Sequence, residues 1–421
     1  MVARRPAFAS TPVTDLRRLI ATAAAVLALP AVIAACTSDA RLPADPVAVE
    51  AQAQPIDVTS RYLVARDITP LVEEGHNAFR RELAWRASTG QTGPLPPADV
   101  LAISGGGDEG AFGAGLLIGW SATGKRPEFK FVTGVSTGAL TAPFAFLGPK
   151  YDYVLKEVYT EVSQKDIFKK KNVIVGVLSD SMADTTPLYR LIQRHVDRKF
   201  LDEIAAEYAK GRLLLVGTTN LDSMEPVVWN MTAIAASKDP RALTLFRRVL
   251  LASAAIPGAF PPVMIDVQVN GVHYQEMHVD GGAERQVFAY PPSLNLQKEA
   301  AEFGAIRERH LYVIRNARLD TNLETVKLRT FPIAARAVVS LMDTQGVGDL
   351  YRIYAVSKKD GVDYNLAYIP SDFNVVHKEE FDTHYMRELF NLGQTLAAAG
   401  YPWQKYPPGY DSPIESAEQH G

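Results

Sequence analysis

Gly134-Val135-Ser136-Thr137-Gly138 boxes a serine between glycines at the end of an apolar run, Phe129 to Thr133. A serine hydroxyl is a poor nucleophile until a sharp strand-to-helix turn lifts it clear of a sheet and a base takes its proton. Gly134 and Gly138 permit that tight backbone and leave room beside Ser136. Upstream, Gly105-Gly106-Gly107 follows the apolar run Val100 to Ile103 and precedes the helical stretch Ala111 to Trp120. Converging amides at a helix N-terminus favour negative charge, either a phosphate or the oxyanion of a tetrahedral acyl intermediate. No Lys followed by Ser or Thr is present to complete a phosphate loop. Gly105, Gly107 and Gly110 also trace the dinucleotide spacing Gly-x-Gly-x-x-Gly. The serine elbow one strand later favours the oxyanion reading.

Downstream, Asp280-Gly281-Gly282 follows His278-Val279 at a strand end. An Asp-Gly pair commonly caps a turn. Beside Ser136, Asp280 becomes the candidate base. A carboxylate with an ordinary pKa of roughly 4 is too weak for a serine proton, so removal from water must raise it. A triad would instead add a histidine after the acid. His310, His377 and His384 qualify by order, and His278 shares a strand face with Asp280. None sits in a recognisable loop motif, and a structural role is the default. No His or carboxylate spacing resembles a metal site, and a single cysteine excludes the usual zinc clusters. The reading assigns no metal and no cofactor.

Short apolar runs alternate with helical stretches from Asp99 onward. Strands are expected at Val100–Ile103, Phe129–Thr133, Arg212–Gly217 and His310–Ile314, with a hairpin over Val263–Val279 turning at Asn270-Gly271. Helices are expected at Ala139–Leu147, at Leu188–Tyr208 with a break near Phe200, at Leu243–Ser253, at Ile333–Ser357 and at Glu379–Ala399. Near-continuous apolar strands alternating with helices predict an α/β sheet covered on both faces. The 421 residues carry 47% hydrophobic and 22% charged side chains, ordinary for a folded protein, and a net charge of -3, which offers no basic field for nucleic acid. Lys169-Lys170-Lys171 is the one dense basic run and reads as a solvated segment.

Residues 1–35 read as an export signal: Arg4, Arg5, Arg17 and Arg18 precede the apolar Leu19 to Ala35. Arg17-Arg18 also permits a twin-arginine reading. Ile33-Ala34-Ala35-Cys36 is similar to a bacterial lipobox, which implies diacylglycerol on the Cys36 thiol; a buried free cysteine is the alternative. Residues 36–60 are then a tether, 61–98 an N-terminal helical extension, 99–400 the catalytic domain and 401–421 a peripheral tail. The expected location is exported and membrane-anchored. The resemblance to other lipoproteins implies the outer membrane rather than the inner, since Thr37 and not Asp follows Cys36. No oligomer signal is visible.

The set Gly105-Gly106-Gly107-Asp108-Glu109-Gly110, Gly134-Val135-Ser136-Thr137-Gly138 and Asp280-Gly281-Gly282 resembles the patatin-like phospholipases. The stretch Ala252 to Pro262 is similar to the segment before Asp-Gly-Gly in that family. The resemblance implies a patatin-like three-layer α/β/α sandwich with a mostly parallel central sheet. It also implies a Ser–Asp dyad with Ser136 as nucleophile and Asp280 as base. Gly105, Gly106 and Gly107 would form the oxyanion hole, with Gly110, Gly134, Gly138, Gly281 and Gly282 in support. The implied substrate is a lipid or other acyl ester. The family usually carries Arg or Lys where Glu109 stands, which makes neutral esters, lysolipids or thioesters the more natural substrates. A non-catalytic lipid-binding protein on the same fold, or a triad esterase, are the competing readings.

Overall fold

A computed structural model describes residues 41–171, 181–320 and 325–410. The export signal, Cys36 and the last eleven residues lie outside the described residues. Among the described residues nine strands form the main sheet: β1 (Arg61–Tyr62), β2 (Ala98–Ile103), β3 (Phe131–Val135), β4 (Leu213–Asn220), β5 (Glu225–Asn230), β6 (Val263–Val269), β7 (Val272–Asp280), β8 (Arg309–Arg315) and β9 (Asp363–Tyr368). Their order is β1-β5-β4-β3-β2-β8-β9, with β7 on β4 and β6 on β7. The five strands β4, β3, β2, β8 and β9 run parallel; the others pair antiparallel. Parallel strands need both faces covered, and alternate side chains go to opposite layers. Leu101, Ile103, Val132, Leu214 and Val216 join the larger core, while Ala102, Leu311 and Val313 join a second cluster on the other face.

The larger core is closed by α2 (Gly110–Ala122), α3 (Thr137–Leu147), α4 (Asp152–Thr160), α5 (Thr186–His195), α6 (Arg198–Ala209), α7 (Ala242–Ser253) and α10 (Thr383–Ala398). The second face receives α1 (Thr69–Ser88), α8 (Leu296–Phe303) and the C-terminal half of α9 (Thr330–Asp360), through Leu350, Ile353 and Tyr354. The result is an α/β sandwich with a mostly parallel central sheet, as expected. The expected hairpin turns at Asn270 and Gly271, both at positive φ (51° and 77°), the geometry an Asn-Gly turn supplies. The expected helix break near Phe200 falls at Val196–Asp197, because the Asp197 side chain caps α6 by accepting from the Phe200 amide at 2.8 Å.

One expectation needs correcting. Residues 43–60 are not a free tether. Ala53 and Ile56 are buried, and Gln54 bridges Gln268. The composition lacks large apolar groups, but the buried Arg61 guanidinium gathers this segment by donating to the carbonyls of Ala53 (2.9 Å) and Glu50 (3.0 Å).

Candidate active site

β4 hands one of its edges from one neighbour to another. Its residues Leu213–Gly217 pair with β3, and Thr218–Asn220 pair with β7. Val135 therefore lies opposite Gly217, and Asp280 lies opposite Thr218, on the next rung of the same edge. Successive rungs are about 3.3 Å apart. Two strand ends running head to head must part, and they part at Ser136 and Asp280. Ser136 turns away with φ 55° and ψ -125° into α3. Such a φ is costly for a residue with a Cβ, by about 1–3 kcal/mol, and persists only when its surroundings impose it. Ser253, at the end of α7, does so: its hydroxyl accepts from the Ser136 amide (3.0 Å) and donates to the Gly217 carbonyl (2.7 Å).

Asp280 is fully buried. Its Oδ1 accepts from the Gly282 amide at 2.7 Å, while Oδ2 has no partner of full hydrogen-bond geometry. Burial pushes its carboxyl up to about 7; the Ser136 hydroxyl and the Gly282 amide pull weakly the other way. The Ser136 side chain thus lies close enough to favour the charged form. Gly281 is wedged against β3 and β4: a Cβ there would meet the Gly217 carbonyl oxygen at 2.5 Å and Val135 at 3.0 Å.

The glycine loop closes the site from the β2 side. Gly105 faces Ser136, since a Cβ on it would lie 3.2 Å from the Ser136 Cβ. Its amide is engaged, donating to the Gln286 carbonyl at 3.0 Å. Among the described residues no bond from the amides of Gly106 or Gly107 to protein is formed. Gly106 has φ 151°, and a Cβ would fall 1.9 Å from the Asn316 carbonyl oxygen, so only glycine fits. Gly138 packs beneath the loop against the carbonyls of Ile103 and Ser104, Gly134 against Gly138, and Gly110 against Thr137.

Three positioning residues surround the loop and the turn, and two of them, Gln286 and Asn316, carried no motif in the sequence. Gln286 lies between Gly105 and Gly282, its amide group within contact of both. Asn316 takes Ser104 as a double partner, accepting nothing from it but donating to its hydroxyl (2.8 Å) and its carbonyl (3.0 Å). Ser253 is the third. The parallel register of β2 and β8, with Ile103 opposite Ile314, is the signal that places Asn316 beside the loop, because sites gather beyond the carboxyl ends of parallel strands.

Glu109 keeps part of its surface exposed. Its surroundings nevertheless push its carboxyl up to about 7, first by burial and then through Asp108, against a bond from the Tyr385 hydroxyl (3.3 Å). Asp108 binds His377 at 2.7 Å, and that ring stacks on Tyr385. His278 has both ring nitrogens occupied, by Thr218 (3.0 Å) and Glu276 (2.9 Å). His310 binds Asp99 at the opposite end of the parallel strands. Among the described residues no histidine bonds to Ser136 or Asp280. Among them also, no group of three or more His, Cys, Asp or Glu is arranged to hold a metal. No helix there is long and apolar enough to cross a membrane.

A serine turn and a glycine loop thus lie together at the carboxyl ends of a mostly parallel sheet, where α/β folds place their ligand sites. Residues 101–291 match the family model described as patatin-like phospholipase. The chain is similar in structure to VipD from Legionella pneumophila, with 12% identity, 73% of this chain and 67% of that chain covered, and a TM-score of 0.35. It is similar to the type III effector ExoU of Pseudomonas aeruginosa at 12% identity, 73% and 53% coverage and a TM-score of 0.30. It is similar to human GIVD cytosolic phospholipase A2 at 11% identity, 78% and 63% coverage and a TM-score of 0.28. The chain spans between about half and two thirds of these proteins' lengths. At these TM-scores they carry no weight for function. No curated protein matches the sequence.

Proposed function

We propose that the protein hydrolyses lipid acyl esters with a Ser136–Asp280 dyad. Asp280 takes the hydroxyl proton as Ser136 Oγ attacks the ester carbonyl carbon. The oxyanion so formed is held by the free amides of Gly106 and Gly107, with Gly105 fixing the loop rather than donating. Collapse breaks the ester bond and the Asp280 proton goes to the departing alkoxide. Water, deprotonated by the same carboxylate, then releases the fatty acid from Ser136. The observation that carries this reading is the meeting of β3 and β7 on one edge of β4, which sets a strained serine beside a buried carboxyl with a free oxygen.

Glu109 at the loop supplies no cation for a phosphate headgroup, which supports neutral esters or lysolipids as substrates. The sequence Ile33-Ala34-Ala35-Cys36 supports export and lipid anchoring, with the tether reduced to the residues before Pro43. Incorporation of a palmitate analogue, lost in Cys36→Ser, checks the anchor. For the dyad, hydrolysis of a p-nitrophenyl ester is expected to vanish in Ser136→Ala and in Asp280→Asn while both variants fold. Full activity in either variant contradicts it.

A further inference from the structure

The helix α9 has two unlike halves. Its C-terminal half is anchored in the second core cluster by Leu350, Ile353 and Tyr354. Its N-terminal half, with the strand-like approach to it, is exposed and apolar: Leu328 is 94% exposed, Leu341 71%, Val339 49% and Ile333 47%. Exposed apolar groups gathered on one element mark an interaction surface. The charges among them are of one kind. From Val326 to Met342 the chain carries Lys327, Arg329 and Arg336 and no acid; the next residue, Asp343, pairs with Arg315 at 2.5 Å. This runs against the chain's net charge of -3.

The same helix then enters the catalytic centre. Met342 lies where a Cβ on Gly282 would touch its Cε at 2.8 Å, and Gly346 packs on Gln286 and Arg315. Whatever covers the exposed half therefore sits at the mouth of the site. We infer that the segment Lys327–Leu341 docks on the surface of an anionic lipid bilayer. Leu328, Ile333 and Leu341 enter the acyl boundary, and Lys327 and Arg329 reach the anionic headgroups, as the apolar groups and snorkelling cations of a membrane-lying segment do. Cations near such a surface are drawn to it by its negative potential. Docking there presents Ser136 to lipid without the lipid leaving the bilayer. The segment lies beyond residues 101–291, the part that matches the family. The inference rests on the lipid-hydrolase reading for its purpose, though not for its geometry.

Cys36 is the only cysteine, so the full chain with Cys36→Ser takes one added cysteine for a polarity-sensitive fluorophore. Leu341→Cys is the test position, and Tyr153→Cys, 64% exposed on α4, is the control. With phosphatidylglycerol vesicles the emission is expected to shift to the blue at 341 and to stay unchanged at 153, with and without Ser136→Ala. In an otherwise native chain, Leu328→Glu with Leu341→Glu should slow hydrolysis of a diacylglycerol carried in phosphatidylglycerol vesicles by about tenfold or more while leaving a soluble p-nitrophenyl ester untouched. Three outcomes overturn the inference: no shift at 341, an equal shift at both positions, or a blue emission at 341 before vesicles are added that disappears on dilution, which would mark a second copy of the chain as the occupant. Loss of soluble-ester hydrolysis in the native chain would instead sink the hydrolase reading and leave the fluorescence result standing.

Discussion

Glu276 and Asp280 sit four residues apart on β7, and neither is exposed at all. Burial works against charge on both. At Glu276 the buried Arg61 guanidinium, helped by His278, outweighs it and holds the carboxyl down to about 2. At Asp280 no cation answers, and the carboxyl rises to about 7. The same strand therefore carries one carboxylate fixed as a structural anion and one left ready to exchange a proton. The difference lies in the partner rather than in depth. β1 brings Arg61 to one end of β7, while the other end meets only a hydroxyl and an amide.

The comparison is sharpest if each acid is neutralised in turn. Asp280→Asn should lower kcat by on the order of 10⁴-fold, as loss of a member of a unit does, while Glu276→Gln leaves kcat within a few-fold in whatever protein folds. Stability should respond in the opposite sense. Glu276→Gln leaves the buried Arg61 charge only the Asp45 carboxyl, 3.7 Å away, and should cost about 3–5 kcal/mol in urea unfolding. Asp280→Asn should stabilise. A carboxyl with its pKa raised on folding contributes stability that is complete below its ordinary value near 4 and is lost as pH rises through about 7. The gain in melting temperature should be larger at pH 8 than at pH 5.

A smaller effect tests the elbow. Ser253→Ala removes the hydroxyl that holds the strained Ser136 amide, and kcat should fall by about tenfold, the worth of one or two hydrogen bonds. An unchanged kcat would mean that the helix α3 alone imposes the turn. Smaller still is Glu109→Gln. Its raised pKa has the same sign as that of Asp280, so the variant should melt about 2–4 °C higher at pH 8 and no higher at pH 4.

Much of this was legible before any coordinates. The apolar runs Val100–Ile103, Phe129–Thr133 and Arg212–Gly217 announce the parallel strands, because strands buried on both faces have no polar alternation to blur them. The glycine loop, the serine and the Asp-Gly-Gly corner are legible because their backbone geometry admits few residue types. Three strands escaped notice, β1 because it is only two residues long. In β9, Asp363 and Asn365 interrupt the apolar pattern, although Asn365 is buried and its amide group donates to Asp363. β5 is short and ends on Asn230, which caps the next turn. Gln286 and Asn316 had no local signal at all, since their places follow from strand register and not from neighbours in sequence. The segment 43–60 misled for the same reason: what holds it is a guanidinium beyond its own end.

The central claim is that the buried, unpaired carboxyl of Asp280 activates Ser136, and the rate of fluorophosphonate labelling measured against pH tests it most directly. The rate should climb with pH, level off above an apparent pKa near 7, and lose that limb together with most of its height in Asp280→Asn, with no labelling in Ser136→Ala. Labelling of Asp280→Asn at the native rate, or a limb that disappears on replacing His278 or His377 instead, would contradict the account.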